Sequence, residues 1–484
     1  MIDSHCHLEM RDYEQDFPEV LKRMRGNGVT NAISIGSLAR NERIEKTIEI
    51  VSAHDFIKTT LGVHPKSPFK DFNDLSRLFD EYYFQNQDKI VAVGETGLDY
   101  FLPGITGKEL ENAKRLQEEL FRFQIELAVK YGLPLIVHIR DAYEKALEIL
   151  EGYINLPGGF YGGVVHCFSS KDTGLAGRFL ELGFFISFSG NITYKNSGDL
   201  RALAKDIPDE KILIETDSPY LSPDGFRGKR NEPSYARFVL KTLSELKEVD
   251  FSRLDGLTTQ NTVNLFSLDN VPGFYPAVAY KIRNSVYVNL TNKCTNRCSF
   301  CPKYRDRKNN YNVRGYNLLL KKEPSPDEVV SSVFRYYDFS EVVFCGLGEP
   351  TLRLDALRRA AAMIKENGKA LGMDIKTRLD TDGLASAVYG RNIPEFLGGV
   401  IDSVSVSLNA HNREFYNNVC MPELKKGDAD AYAAVIEFIR ESRKHIGEVT
   451  ATAVDLPGLD VELARKIAGS LGAKFRLRQY DNVG

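Results

Sequence analysis

The segment Ile90-Val-Ala-Val-Gly-Glu-Thr-Gly-Leu-Asp99 decides the fold of the first half of the chain. An apolar, β-rich run reaches a glycine and then ends in carboxylates. The same pattern, a short strand candidate that ends in a potential metal ligand, recurs along residues 1–268 between amphipathic helical stretches. Regular alternation of strands and helices is typical of parallel βα folds.

Eight strand candidates follow this pattern. They cover residues 2–6, 32–37, 58–64, 90–95, 135–139, 163–167, 184–189 and 211–217. Eight βα units in a segment of this length predict a (β/α)8 TIM barrel over residues 1–268.

Side chains that bind metals stand at the ends of five of these candidates. They are His5 and His7, then Glu95, His138, His166 and Asp217. Alternate residues of a strand share a face, and the carboxyl ends of barrel strands converge on one face, so these groups should meet. Imidazole and carboxylate suit zinc, manganese and related ions. Glu95 could bridge two ions about 3.5–4 Å apart, while Asp217 could hold one ion and take a proton from the water that the metals activate.

The motifs around these ligands resemble the TatD family of metal-dependent hydrolases. They are His5-Cys-His-Leu8, Gly62-Val-His-Pro65, Gly94-Glu-Thr-Gly-Leu-Asp99, Val137-His138, His166-Cys-Phe168, Glu215-Thr-Asp-Ser-Pro219 and Arg227-Gly-Lys-Arg-Asn-Glu-Pro233. The resemblance implies two divalent ions (Mg, Mn or Zn) on the six ligands, and often exonuclease activity on DNA or RNA. Arg227, Lys229 and Arg230 lie in the loop after the eighth strand candidate, and His64 ends the third, at the same mouth. All four are candidates to contact a phosphate of the substrate, and for His64 a structural role stays open.

Residues 269–283 interrupt the rhythm with Pro272, Gly273 and Pro276, and are interpreted as a linker. A second βα series follows, with strand candidates at 286–291, 342–345, 375–380, 403–408, 449–454 and 474–478. Six units predict an open (β/α)6 partial barrel over residues 284–484.

The segment Cys294-Thr-Asn-Arg-Cys-Ser-Phe-Cys301 has the form CxxxCxxC and follows the first strand candidate of this series. Three thiolates on one loop can bind three irons of a [4Fe–4S] cluster and leave the fourth iron open. A zinc site would need a fourth nearby Cys or His, and the following loop has none. Two cysteines remain: Cys345 is interpreted as a core thiol, and Cys420 as a loop residue for which a catalytic role is open.

This loop and several later segments resemble the radical SAM superfamily. The resemblance places Phe300, Gly346, Gly348, Glu349, Ser407 and Asn409 at positions that contact S-adenosylmethionine, with Leu347 and Asp382 as departures from the usual pattern. It implies reductive cleavage of that cofactor to methionine and a 5′-deoxyadenosyl radical. It also implies an electron donor such as flavodoxin or ferredoxin.

Composition adds limits on location and partners. The chain is 43% hydrophobic and 27% charged with a formal net charge of −3, an ordinary globular balance. The first half is acidic and the second basic, which favours two units with separate tasks. No signal peptide and no apolar run of roughly 20 residues is present, so a cytoplasmic, non-membrane protein is expected. In a reducing compartment, seven cysteines are interpreted as metal ligands or buried thiols.

The basic stretch 303–314, with interleaved tyrosines, is a candidate nucleic-acid contact or a surface loop.

The sequence therefore predicts a bifunctional enzyme: a dinuclear phosphodiesterase of the DNase or exonuclease kind joined to a radical SAM enzyme, with a nucleic acid or nucleotide as substrate. One alternative keeps the hydrolase but assigns it esters or amides of small molecules. Another makes the second half an activase for a glycyl-radical protein. A non-enzymatic binding module is disfavoured, because all six metal ligands and all three cluster cysteines are present. The radical substrate and the oligomeric state are left open.

Overall fold

The computed structural model describes residues 1–39, 41–67, 71–154, 162–305, 311–424 and 430–479. The chain divides into two compact units. The first comprises Met1–Phe274 with Asn312–Asn317, and the second comprises Tyr275–Tyr311 with Leu318–Gly484.

The first unit is a barrel of eight parallel strands that neighbour one another in chain order. These strands are β1 (Ile2–Cys6), β2 (Asn31–Ser34), β3 (Ile57–Leu61), β4 (Ile90–Asp99), β5 (Leu135–Arg140), β6 (Gly163–Val165), β7 (Phe185–Phe188) and β8 (Ile212–Ile214). The ring closes where the His7 amide donates to the Ser218 carbonyl at 2.8 Å and the Asp217 amide donates to the His5 carbonyl at 2.9 Å. The predicted eight-stranded barrel is confirmed.

In its described residues, this unit contains nine α-helices. They are α1 (Phe17–Gly26), α2 (Asn41–Ala53), α3 (Phe72–Gln85), α4 (Gly107–Tyr131), α5 (Tyr143–Ile154), α6 (Thr173–Glu181), α7 (Gly198–Asp206), α8 (Ala236–Lys247) and α9 (Phe251–Phe266). Their apolar residues and those of the strands form one continuous buried core. Asp71, Asp172 and Asp250 accept backbone N–H groups at the starts of α3, α6 and α9, which satisfies donors that a helix start leaves unpaired.

The strands differ in length from the prediction in a way that shapes the site. β4 continues to Asp99, which pairs with Arg140 of β5. Gly97 permits this extension, because its φ is +132° and a Cβ there would lie 2.1 Å from the His138 carbonyl oxygen. β6 and β8, in contrast, end before His166 and Asp217, so these two ligands stand just beyond the last paired residues.

A small hairpin completes the first unit. It consists of β11 (Asn312–Val313) and β12 (Tyr316–Asn317), which are antiparallel. Tyr316 is buried with its ring edge-on to Phe185 at 5.7 Å, and the Lys211 ammonium donates to the Arg314 carbonyl at 2.8 Å. Phe185 and Lys211 lie where β7 and β8 begin, so the hairpin covers the barrel end opposite the metal ligands. The hairpin could not be predicted from the sequence, because two-residue strands carry no periodic signal.

The second unit is built on a seven-stranded sheet in the order β17-β16-β15-β14-β13-β10-β9. Six strands are parallel: β10 (Ser285–Val288), β13 (Glu341–Phe344), β14 (Lys376–Thr381), β15 (Ser403–Ser407), β16 (Glu448–Val454) and β17 (Lys474–Arg478). The seventh, β9 (Ala279–Ile282), is antiparallel to β10 and forms within the segment that the sequence predicted as linker. The six parallel strands match the six candidates, while the closure of this sheet into a partial barrel stays a prediction.

The helices described in this unit are α10 (Pro302–Arg305), α11 (Pro326–Val333), α12 (Leu354–Ala370), α13 (Ala385–Tyr389), α14 (Ile393–Leu397), α15 (Arg413–Cys420), α16 (Ala431–His445) and α17 (Val461–Ser470). α11 begins with a reciprocal capping box between Ser325 and Glu328. Residues 306–310 of the basic stretch lie outside the described residues.

Among the described helices, none combines the length and the apolar character that crossing a membrane requires.

Candidate metal centre and cysteine loop

The barrel brings all six predicted metal ligands together at the carboxyl ends of its strands. The imidazoles form two pairs. The Nε2 atoms of His5 and His7 are 3.4 Å apart, and His138 Nδ1 is 3.1 Å from His166 Nε2. The rings of His5 and His166 stack at 4.0 Å, so the two pairs are adjacent.

Glu95 lies between the pairs and reaches each of them with a different oxygen. Its Oε1 is 2.9 Å from His138 Nδ1 and 2.8 Å from His166 Nε2. Its Oε2 is 3.7 Å from His5 Nε2 and 3.9 Å from His7 Nε2. One carboxylate that serves two imidazole pairs has the arrangement expected of a ligand that bridges two ions.

Asp217 completes the first pair. Its Oδ1 lies 3.6 Å from His5 Nε2 and 3.5 Å from His7 Nε2. Its φ is +55°, a conformation that aspartate tolerates better than most residues, and this turn directs the side chain into the site just after β8. Asp217 therefore lies where it could bind one ion and also receive a proton.

Three further carboxylates stand behind the imidazoles. Glu9 Oε1 is 3.7 Å from His7 Nδ1, Asp99 Oδ2 is 3.3 Å from His138 Nε2, and Glu215 Oε1 is 3.4 Å from His166 Nδ1. Carboxylates in this position fix the tautomer and the orientation of metal-binding histidines. None of these three residues has a role predicted from the sequence. Glu9 and Glu215 each lie two residues from a predicted ligand, and this spacing was the signal available for finding them.

The electrostatics of the site suit cations. Although burial opposes it, the neighbouring His166 and His64 hold the pKa of Glu95 well below its usual range, so this carboxylate is ionised. Burial lowers the pKa of His5, which keeps that imidazole neutral and able to act as a ligand. Both oxygens of Glu9 and Oε1 of Glu215 are buried without a hydrogen-bond partner among the described residues. The donor set thus fits two divalent ions, whose binding would turn the imidazole N–H groups toward these acceptors.

The predicted substrate contacts differ in their surroundings. His64 lies at the second imidazole pair, with Nε2 3.7 Å from Glu95 Oε1, and burial lowers its pKa to about 4. Arg227 and Lys229 are exposed, and the Arg227 guanidinium lies over the Tyr194 ring at 4.6 Å. Arg230 instead binds Asp16 at 2.7 Å, so its charge is already neutralised.

Two exposed aromatic residues flank the same mouth. Tyr220 is 50% exposed, and its ring centre is 6.0 Å from that of His7. Phe101 is 44% exposed and lies two residues after the end of β4, and the Arg140 guanidinium lies over its ring at 3.9 Å. Neither residue was predicted from the sequence, because isolated aromatic residues in loops form no pattern.

The cysteine loop of the second unit follows β10. Cys294, Cys298 and Cys301 are half-buried free thiols, and Cys298 interacts electrostatically with both of the others. Burial raises the pKa of Cys294 and of Cys301, so thiolates there need a bound cation. The pKa of Cys298 is raised as well, and three such thiols on one loop fit three ligand positions of an iron–sulfur cluster.

Segment 419–422, at the end of α15, supports this loop. The Ser299 amide donates to the Val419 carbonyl at 2.8 Å, and the Arg297 amide donates to the Cys420 carbonyl at 3.1 Å. Cys420 is the last residue of α15 rather than the loop residue that the sequence predicted, and it is fully buried. Its thiol shares a hydrogen bond with Cys298, which raises the pKa of Cys298.

The glycine-rich segment after β13 packs directly against the cysteine loop. A Cβ at Gly346 would lie 2.2 Å from Asn289 Oδ1, and one at Gly348 would lie 2.2 Å from the Lys293 carbonyl oxygen. Both positions therefore exclude any side chain. Glu349 faces inward: its carboxylate accepts from Thr351 and from the Asp382 amide at 2.8 Å. The Glu349 carboxylate therefore links the glycine-rich segment to the residues that follow β14.

The remaining predicted cofactor contacts lie around the same strand ends. Phe300 and Ser407 are half-buried, and Asn409 is buried with its amide nitrogen 3.9 Å from Cys420 Sγ. Asp382 accepts a hydrogen bond from the Thr295 hydroxyl of the cysteine loop. Strand ends, cysteine loop and glycine-rich segment thus form one continuous region.

The fold and the sites define a metal-dependent hydrolase barrel joined to a cysteine-loop βα domain. The model of the TatD related DNase family matches residues 2–267, and the chain belongs to this family. The Radical SAM superfamily model matches residues 288–469, so a radical SAM domain follows the barrel. Both predicted resemblances are confirmed.

Similar proteins cover the first unit. The chain is 35% identical to an uncharacterized metal-dependent hydrolase, YabD, of Bacillus subtilis, over 56% of this chain and 100% of YabD. It is 30% identical to the 3′-5′ ssDNA/RNA exonuclease TatD of Pectobacterium parmentieri, over 55% of this chain and 100% of that protein. The crystal structure of the TatD homologue YJJV of Escherichia coli superposes with a TM-score of 0.50 at 30% identity, over 55% of this chain and 98% of YJJV.

Proposed function

We propose that the first unit hydrolyses phosphodiester bonds of single-stranded nucleic acid. The single observation that supports the hydrolase assignment is the position of Glu95, whose two carboxylate oxygens each lie near a different imidazole pair. When bound, two divalent ions supply positive charge that polarises the scissile ester and lowers the pKa of water. His5, His7 and Asp217 would hold one ion, and His138 and His166 the other, with Glu95 shared. Asp217, which is half-buried beside His5 and His7, takes the proton of the attacking water.

The surroundings of the site support a nucleic acid as substrate. Arg227 and Lys229 offer positive charge to phosphates. Tyr220 and Phe101 present exposed rings on which unpaired bases can stack, and such stacking is worth about 1–3 kcal/mol per base. The exonuclease named among the similar proteins acts on single-stranded DNA and RNA, which agrees with this assignment.

A substrate panel tests the proposal. The Mn²⁺-loaded protein should cleave a short single-stranded oligonucleotide and leave small esters and amides intact. Tyr220→Leu and Phe101→Leu should each raise KM for the oligonucleotide roughly 5–100-fold while kcat changes little. Phe84→Leu is the matched control, because Phe84 is 63% exposed on α3, whose end lies at the opposite side of the barrel. Preferential hydrolysis of small esters would favour the alternative substrate class instead.

We further propose that the second unit cleaves S-adenosylmethionine reductively. The three thiols of the cysteine loop and the side-chain-free approach at Gly346 and Gly348 support this assignment. Cys294, Cys298 and Cys301 would hold a [4Fe–4S] cluster, which when bound supplies the electron for cleavage. The backbone of the glycine-rich segment then binds the methionine end, and Phe300 and Asn409 contact the rest of the cofactor. A flavodoxin or ferredoxin would deliver the electron.

A further inference from the structure

One face of the second sheet carries an unusual set of charges. In β14, Thr377, Leu379 and Thr381 are buried, whereas the alternate residues Arg378 and Asp380 lie on the opposite face. The helices α12, α16 and α17 pack on the apolar face, as the buried aliphatic residues of β13, β15 and β16 show. The face with Arg378 and Asp380 is therefore the one turned away from the helices.

The strand register extends this face to the edge of the sheet. Asp380 pairs with Ser405 of β15, and Ser407 in turn pairs with Thr452 of β16. Thr452 pairs with Arg476 of β17, and Arg478 follows two residues later on the same side. We call Arg378, Asp380, Arg476 and Arg478 the arginine face. Hydroxyl groups of Ser405, Ser407 and Thr452 lie between the charged residues and add hydrogen-bond donors.

Within the arginine face, Arg378 is paired with two carboxylates, whereas Arg476 has no such partner among the described residues. Arg378 lies 3.2 Å from Glu341 and 3.0 Å from Asp380, yet its Nε and Asp380 Oδ1 are buried without an aligned hydrogen bond among the described residues. Arg378, Arg476 and Arg478 all interact electrostatically with Asp380, but burial still raises the pKa of this carboxyl. Arg476 is exposed and has no ion pair with any described residue. Since a guanidinium stays charged at every physiological pH, an anion from outside the chain would give Arg476 a partner.

The location of the arginine face connects it to the proposed radical chemistry. Asp380 lies two residues before Asp382, which accepts a hydrogen bond from Thr295 of the cysteine loop. Two strand residues span about 7 Å, so the face begins directly below the region of the cofactor. A substrate anchored there would present its remaining atoms to that region.

We propose that the arginine face binds an oxyanion, a phosphate or a carboxylate, of the substrate of the radical SAM domain, with Arg476 as the residue that determines specificity for the anion. The inference rests on the proposed function of the second unit. Arginine suits this role because its planar fork can donate two parallel hydrogen bonds to one oxyanion.

Titration calorimetry on the full, cluster-loaded protein tests the site, in preparations without divalent ions so that the first unit holds no metal-bound anion. Pyrophosphate and malonate serve as probes for the phosphate and the carboxylate. Wild-type protein should bind at least one of them. Arg476→Gln should weaken that binding roughly 10-fold or more, and Arg476→Lys should give an intermediate loss. Arg443→Gln, which removes an exposed arginine of α16, is the matched control and should stay within about 2-fold of wild type.

Tighter binding of pyrophosphate assigns a phosphate-bearing substrate, and tighter binding of malonate assigns a carboxylate. Failure of both probes to bind wild type, or an equal loss in Arg476→Gln and Arg443→Gln, overturns the proposal. Formation of 5′-deoxyadenosine without substrate, measured in parallel, should be the same in Arg476→Gln and wild type. If wild type forms none, the proposed radical function fails, while the titration still decides the anion site.

Discussion

At the scale of single residues, the hydrolase site depends on the two oxygens of Glu95. Replacing Glu95 with Gln keeps the volume of this buried side chain but removes the charge and one bridging oxygen. We expect Glu95→Gln to fold normally and to lose hydrolysis and Mn²⁺ affinity by more than the roughly 10–100-fold that an outer carboxylate contributes. Metal analysis and an oligonucleotide cleavage assay measure both. Glu126→Gln, on the exposed side of α4, should behave as wild type.

Asp99 is expected to act through His138 rather than as a metal ligand, because its carboxylate contacts the outer nitrogen of that imidazole. It lies 3.3 Å from His138 Nε2 and 2.8 Å from the Lys66 ammonium, and these contacts hold the pKa of Asp99 at about 2 despite its burial. We expect Asp99→Asn to reduce Mn²⁺ affinity about 10–100-fold while saturating Mn²⁺ restores much of the activity. Asp74→Asn, an exposed change on α3, provides the control. Unchanged Mn²⁺ affinity in Asp99→Asn would contradict an orienting role.

Some residues of the two sites could be predicted from the sequence, and others could not. Six ligands were predictable because histidine and acidic residues at strand ends must converge once the barrel is assumed. Glu9, Asp99 and Glu215 were visible in the motifs, but their roles depend on which nitrogen of each imidazole faces inward, and only three-dimensional geometry decides this. The inward turn of Glu349 was equally hidden, since it arises from contacts with Thr351 and Asp382.

At the scale of secondary-structure elements, the hairpin β11–β12 places an amine in an unusual environment. The Lys211 ammonium lies 4.2 Å from the Phe185 ring centre and 4.4 Å from that of Tyr316, and burial lowers its pKa to about 7. An unfolded lysine has a pKa near 10.4. Between about pH 7 and 10 the unfolded chain therefore binds the extra proton, and this residue adds stability as the pH rises through that window.

Thermal unfolding of the full chain checks this expectation. The difference in melting temperature between wild type and Lys211→Met should change steadily from pH 7 to pH 10 in favour of wild type. Lys241→Met, at an exposed position on α8, should show a constant difference. A constant difference for Lys211→Met as well would show that the amine is protonated in the folded protein throughout.

The elements were predicted unevenly for physical reasons. Long alternations such as β14–β16 with their helices give clear periodic signals, so all six parallel strands of the second unit were found. β9 was missed because nearby Pro272, Gly273 and Pro276 favour irregular backbone, although Ala279–Ile282 itself pairs with β10. Edge strands and short hairpins obtain their order from partners distant in sequence, and local patterns do not contain that information.

At the scale of the whole molecule, the two proposed activities use separate sets of ligands. Changing Cys294, Cys298 and Cys301 to alanine together should remove the iron, the brown colour and 5′-deoxyadenosine formation under reducing, anaerobic conditions. The same variant should keep oligonucleotide hydrolysis within about 2-fold of wild type, because the metal ligands belong to the barrel. Cys345→Ala is the control and should retain about four irons per chain. Iron retained by the triple variant would refute the cysteine assignment.

The hairpin also bears on how the chain can be taken apart. The first unit consists of two stretches that are far apart in sequence, because Asn312–Asn317 packs on the barrel after the chain has already begun the second unit. A protease that cuts once between the barrel and β9 would break the covalent connection but leave Tyr316 seated beside Phe185. The two fragments should then migrate separately on a denaturing gel and elute together from a native sizing column.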